Sequence, residues 1–239
     1  MSFGTRRGWA PQAYPADHSA SRRLQEWLRE GEGSLDAVGL DFRGVDLTGG
    51  DFSESWFSGA VLTGVVLRKT DFYRADMQGC DLSGADLTGS SFVRSNLDDA
   101  VMKAAILDGA DFVKASLCGV DASAASFRGA QLMGASLLDV NLCGADLTGA
   151  KVTENSFRVR LDESTTLQGF SGSLFGPIEI LTGEGVREIG GADLEQWIRE
   201  KGGAVTVIRQ GERNNRYKLA IRSCSGLLEA SSADQNAGE

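Results

Sequence analysis

From Leu40 to Val159 the chain divides into consecutive five-residue blocks with no residue inserted or deleted, and the centre of every block is apolar. The 24 centres run Phe42, Leu47, Phe52, Phe57, Leu62 and onward to Phe157, and Ala122 is the smallest of them. Two places before the centre stands a small residue in most blocks, Ala in half of them. One place before it stands Asp or Asn in half, and the last place is Gly in 13. A helix needs apolar residues three and four apart, and a strand needs strict alternation, so neither period fits. A period of five instead sends two side chains inward per block and leaves three facing water. Glycine after the centre lets the chain turn there at little steric cost. The expectation is a series of short extended pieces joined by corners.

The pentad ADLTG occupies Ala85–Gly89 and Ala145–Gly149, and VDLTG occupies Val45–Gly49, at offsets that are multiples of twenty. These blocks resemble the pentapeptide-repeat family, whose motif is A(D/N)LXX. The resemblance covers about half the chain and implies an all-β solenoid, a right-handed quadrilateral β-helix with four pentads per coil. Columns at steps of twenty agree with it: Phe52, Phe72, Phe92 and Phe112 fall on one wall, and Leu47, Leu67, Leu87 and Leu107 on another. Six coils at the strand spacing give a rod of about 29 Å, each coil stabilised by its neighbours and both ends needing caps.

Residues 1–35 read as a leader and capping helix. In Ser21 to Gly33, Ser21 is the expected N-cap, Leu24, Trp27 and Leu28 form the apolar face, and Gly31 stops the helix. Residues 36–171 form the β-helix, with the pentad phase lost at Asp162 and regained at Leu167. Residues 172–223 read as a small α+β module: a helix over Asp193 to Gly203, and strands at PIEIL, VREI, AVTVIRQ and RYKLAIR, the last two joined by GERNN. The tail 224–239 is expected to be disordered.

Composition removes several function classes. No stretch approaches the length of an apolar membrane span, and no apolar leader opens the chain, so the expectation is a soluble cytoplasmic protein without membrane partners. Cys80, Cys118, Cys143 and Cys224 show no metal spacing and are expected to be reduced. His18 is the sole histidine, which argues against His-based triads and zinc sites. No metal and no cofactor are expected. Net charge is −9, of which −7 lies in the repeats, and an acidic surface argues against direct nucleic-acid binding.

Function is therefore expected on the outward places. On the Phe wall, Tyr73, Val93, Val113 and Met133 form an apolar strip, and beside it Arg74, Arg94 and Lys114 form a cationic stripe. This is a candidate binding surface for an anionic or phosphorylated segment; against it stands plain solvated charge compensated by neighbouring Asp. The next wall carries Trp56, Asp98, Asp99, Leu138 and Asp139, a contact patch unless Trp56 is covered by the N-terminal helix. The Asp column, with Asp46, Asp86 and Asp146, is expected to serve turns and solubility. No GxSxG or P-loop is present, and the catalytic residues are unknown, Tyr73 being a weak candidate base.

The resemblance implies more. Its relatives include quinolone-resistance proteins, acidic rods that look like B-form DNA to DNA gyrase or topoisomerase IV. A protein- or peptide-binding scaffold, most specifically such a DNA-mimic modulator, is the first expectation. The alternative is a peptide-modifying enzyme, an eliminating lyase on a phosphorylated precursor, or a substrate-holding protein in peptide natural-product biosynthesis. A topoisomerase or an anionic peptide is the expected partner, and a homodimer through the C-terminal module is a further one.

Overall fold

The computed structural model describes residues 9–208. Parallel bridges join residues twenty apart, as in Asp46↔Val66, Val66↔Asp86 and Asp86↔Ile106. One coil is therefore four pentads, and each wall of the coil is one pentad wide. Within a pentad the chain makes one bridge, buries the centre, turns over two residues and buries the small residue that opens the next block. The turn closes on a short backbone bond, for example Gly50 N–H to the Leu47 carbonyl at 3.0 Å. The amide at the last place donates to the next coil, as Gly49 does to Arg68 at 2.9 Å.

The Asp or Asn before the centre has a definite part in this turn. Its side-chain oxygen accepts the N–H two residues on: Asp46 from Thr48 at 3.0 Å, Asp71 from Tyr73 at 2.9 Å, Asp146 from Thr148 at 2.9 Å. Asn96 and Asn141 do the same for Asp98 and Cys143. These are Asx turns, in which a side chain stands in for a backbone acceptor.

The pentad centres fill the interior. The Phe ladder stacks ring on ring, with centroids at 5.8, 5.2 and 4.9 Å from Phe52 to Phe112 and interplanar angles falling from 21° to 8°. The Leu column at Leu47, Leu67, Leu87 and Leu107 is wholly buried.

Helix α1 (His18–Glu30) lies at the first coil. Its N-cap is Asp17, which accepts from Ala20 N–H, so the start falls before the expected Ser21. The carboxylate wins because it sits where the backbone is still extended, whereas Ser21 already donates its own N–H to the Asp17 carbonyl. Gly31 ends the helix in the left-handed conformation. Trp27 stacks on Phe52 at 5.2 Å and 16°, continuing the aromatic column by one ring, and Trp9 meets the same Phe edge-on at 5.6 Å.

At the other end, strands β1 (Ser136–Asn141), β2 (Lys151–Asp162), β3 (Ser171–Phe175), β4 (Ile178–Thr182), β5 (Gly185–Ile189) and β6 (Ala204–Val207) form one sheet with helix α2 (Gly191–Glu200) between the last two. The register slips at Val140↔Val159, earlier than the expected Asp162, and the offset of twenty returns at Asp146↔Thr166. Asp162 organises the turn that restores it, accepting from Ser164 N–H and Thr165 N–H at 3.0 Å each. The slip buries Leu138, which the pentad phase had placed outward. Strand β3 pairs in parallel with β2 on one side and β6 on the other, so residue 172 falls inside a strand that continues the stack. The expected strand RYKLAIR and the tail lie outside the described residues.

Candidate functional site: the outward face of the Phe wall

The last place of every pentad from Gly44 through Glu154 passes through the left-handed backbone region, which glycine tolerates best. On the Phe wall this place is held in turn by Glu54, Arg74, Arg94, Lys114, Gly134 and Glu154, and all six have positive φ. Tyr73, Val93 and Val113 stand half-buried beside the cations, and Met133 is 40% exposed at the end of the strip. The structure thus brings these residues onto one face, at one strand spacing of about 4.8 Å per coil.

Neighbouring acids do not neutralise this stripe evenly. Arg74 reaches Glu54 at 3.8 Å and lies over the Tyr73 ring at 5.3 Å. Among the described residues, Arg94 and Lys114 make no ion pair. The carboxylates of Asp71 and Asp111 on the same wall are turned to the amides of Tyr73 and Val113.

The Leu wall differs. Asp86 pairs with Arg68 and Asp146 with Arg128, both at 2.6 Å. Partial burial pushes Asp86 and Asp146 up, but hydrogen bonds from Thr88 and Arg68, and from Thr148 and Arg128, outweigh it and hold both below the usual carboxylate range. These acids are spent on turns and cross-coil pairs.

On the following wall Trp56 is 51% exposed, and the N-terminal helix buries Trp27 instead. Asp98 is turned inward along the surface, accepting from Ser116 Oγ at 2.6 Å and Cys118 N–H at 2.9 Å. Desolvation, with the charges of Asp99 and Asp76, raises its pKa despite those bonds. Asp99 lies against Gly119, and Asp139 pairs with Arg158. Trp56, Asp98 and Asp99 are not gathered into a cleft with the cationic stripe.

A pocket of about 70 Å³ between β1, β2 and β4 is lined by Asp139, Asn141, Arg158, Arg160 and Glu179. Ligand pockets need about 300–1,000 Å³, and its charges are already matched in pairs. Among the described residues no group of three metal-ligating side chains converges, and no helix is long and apolar enough to cross a membrane. Cys80 and Cys143 are free, and burial pushes the Cys80 thiol up to about 12, so it is a protonated core residue.

The left-handed setting of the cations is the feature that residue-type reasoning passed over. Its signal was present: glycine fills the last place once in six on the Phe wall but five times in six on the Leu wall.

A coil of four stacked pentads, with outward side chains as its variable part, defines a repeat scaffold. The model of the pentapeptide repeats matches eight copies between residues 35 and 149, and through this region the chain belongs to the pentapeptide-repeat family, whose members fold as right-handed β-helices. No curated protein sequence matches it. Solved structures similar to it include HetL, involved in heterocyst differentiation regulation in the cyanobacterium Nostoc sp. strain PCC 7120. That match has 21% identity over 64% of this chain and 84% of the other, with a TM-score of 0.28. A pentapeptide-repeat protein of the Arabidopsis thaliana thylakoid lumen matches at 25% identity over 54% and 79%, with a TM-score of 0.22. QnrB1, a plasmid-mediated fluoroquinolone resistance protein, matches at 19% identity over 74% and 94%, with a TM-score of 0.31.

Proposed function

We propose that the protein is a binding scaffold that engages a protein or peptide along the outward face of the Phe wall. The observation that carries this reading is the pairing of an apolar strip, Tyr73, Val93, Val113 and Met133, with three exposed cations, of which Arg94 and Lys114 make no ion pair among the described residues. The interior is filled by stacked centres, so recognition falls to the walls. The test is a photo-crosslinking amino acid placed at Val93 or, as control, at Thr88 on the Leu wall. Adducts at Val93 and none at Thr88 are expected; equal yields, or none at either, refute the proposal.

A DNA-mimic modulator of gyrase or topoisomerase IV is the second reading, favoured by the net charge of −9. The pairing of Asp86 and Asp146 with arginines weakens it, because mimicry of phosphates needs charge left open to solvent. Altered gyrase supercoiling at micromolar protein, abolished by reversing Asp46, Asp86 and Asp146, would favour it over the Phe-wall reading. The peptide-modifying enzyme rests on Tyr73 as a proton carrier in the strip, and Tyr73→Phe would then remove turnover and spare binding.

A further inference from the structure

Glycine fills the pentad's last place in three to five of six coils on the other walls, and in only one of six on the Phe wall. Arg74, Arg94 and Lys114 hold φ of 55°, 61° and 59° there, on three successive coils. A side chain at this backbone angle is disfavoured against glycine. Three like charges one strand spacing apart repel, and exposed cations return little stability. The fold gains little from this choice beyond Arg74's reach to Glu54, so the residues answer to something outside it; backbone outliers of this kind collect at functional positions.

We infer that Arg74, Arg94 and Lys114 read the acidic side chains of a partner polypeptide laid along the solenoid axis, an assignment that rests on the scaffold reading above. Charge complementarity fixes the class of occupant. The cationic run spans three coils and is closed by Glu54 at one end and by Gly134 and Glu154 at the other. Two or three anions fit such a run, whereas a continuous phosphate backbone would run onto Glu54 and Glu154. Asp71 and Asp111 on the same face, and the net charge of −9, add to that repulsion. The strip of Tyr73, Val93, Val113 and Met133 alongside calls for apolar side chains, which a polypeptide supplies and a sugar–phosphate chain does not. The partner segment is therefore short, acidic and apolar by turns; glutamate and phosphoserine share the chemistry the cations recognise.

The test uses the full chain on an array of short peptides with a constant Leu and Phe content and graded Glu or phosphoserine content, with single-stranded DNA as competitor. Capture is expected to rise with acidic content, to weaken with salt, and to fall about tenfold or more in R74G/R94G/K114G. That variant is expected to melt no lower than the parent. R74Q/R94Q/K114Q, which keeps the Cβ atoms, serves as the second variant and should lose capture equally. The Glu and phosphoserine series separate the two sources of negative charge. Capture that survives both triple variants overturns the cation column while leaving a binding wall. A competitor DNA that displaces every peptide overturns the peptide assignment, and no capture together with no crosslink at Val93 sinks both readings.

Discussion

Phe92→Ala removes the ring at the middle of the stacked ladder. Phe92 is fully buried and lies 5.2 Å from Phe72 and 4.9 Å from Phe112, nearly parallel to both. Burying such a side chain contributes about 1.5–3 kcal/mol, and each stacked pair adds about 0.5–1.5 kcal/mol. Together these agree with the roughly 3–5 kcal/mol lost when a core Phe is cut to Ala. In a chain of this length that is a fall in melting temperature of roughly 6–20 °C. The control is Thr88→Ala, which loses a surface bond from Thr88 Oγ1 to Asp86 at 2.7 Å and should cost less than about 1 kcal/mol. Differential scanning calorimetry on both variants decides the matter. Similar falls for the two would show that the aromatic column does not hold adjacent coils together.

Gly172 and Gly109 separate two uses of glycine. A Cβ on Gly172, at φ 126°, would sit 1.7 Å from the Val152 carbonyl oxygen, while one on Gly109 meets nothing within 4 Å. Gly172→Ala should therefore disrupt the β2–β3 pairing and lower the melting point sharply, and Gly109→Ala should cost about 1 kcal/mol for its left-handed backbone alone. For pH, the lowered pKa of Asp86 gives stability that is full above the unfolded carboxylate range and lost as pH falls through the folded value. Asp86→Asn should lower the melting point at neutral pH and leave no difference from the parent in strong acid. Asp98, raised first by desolvation, has the opposite sign: its contribution is lost as pH rises through its folded value. Asp98→Asn keeps an acceptor for Ser116 and Cys118 and should melt at or above the parent at neutral pH, read by the same calorimetry.

The repeat was legible because its signal is strictly local and recurs. Each pentad states its own register: an apolar centre, a small residue two places before, and Asp or Gly where the turn needs them. Bridges twenty apart follow once four pentads close a coil, and Phe52 to Phe112 stack as the columns imply. Where the pattern must stop, the sequence is weaker. Asp17 outcompetes Ser21 as N-cap because both can accept a backbone N–H and only chain geometry chooses between them. Leu138 is buried because a bulge opposite Val159 shifts one strand by a residue, an event that no pentad count contains. Trp56 stays 51% exposed because the N-terminal helix sets its own ring, Trp27, on the end of the Phe column. Steps of twenty place the outward residues wall by wall, but their electrostatics depend on which neighbours each carboxylate faces.

That dependence separates the walls. On the Leu wall, Arg68 and Arg128 stand one place after the centre and reach Asp86 and Asp146 on the following coil, eighteen residues on. Lys103 reaches Asp121 by the same step on the neighbouring wall. A cation one place after the centre thus lies over the next coil's turn-forming acid and is neutralised by the repeat itself. Arg74, Arg94 and Lys114 stand one place further on, at the corner, where no turn-forming acid of the next coil lies in register and Glu54 reaches Arg74 alone. Moving a cation by one residue takes it out of that built-in pairing and leaves its charge to solvent. The same solenoid therefore carries neutralised walls and one charged edge, without any change to the core that holds them. An arginine moved from the corner to the place after the centre, as in Val93→Arg combined with Arg94→Gly, should find Asp111 in the same geometry that Arg68 has with Asp86. Its charge should then drop out of peptide capture while the fold stays intact. Capture that persists in that variant would show that binding follows the wall's total charge and not the position of the corner cations.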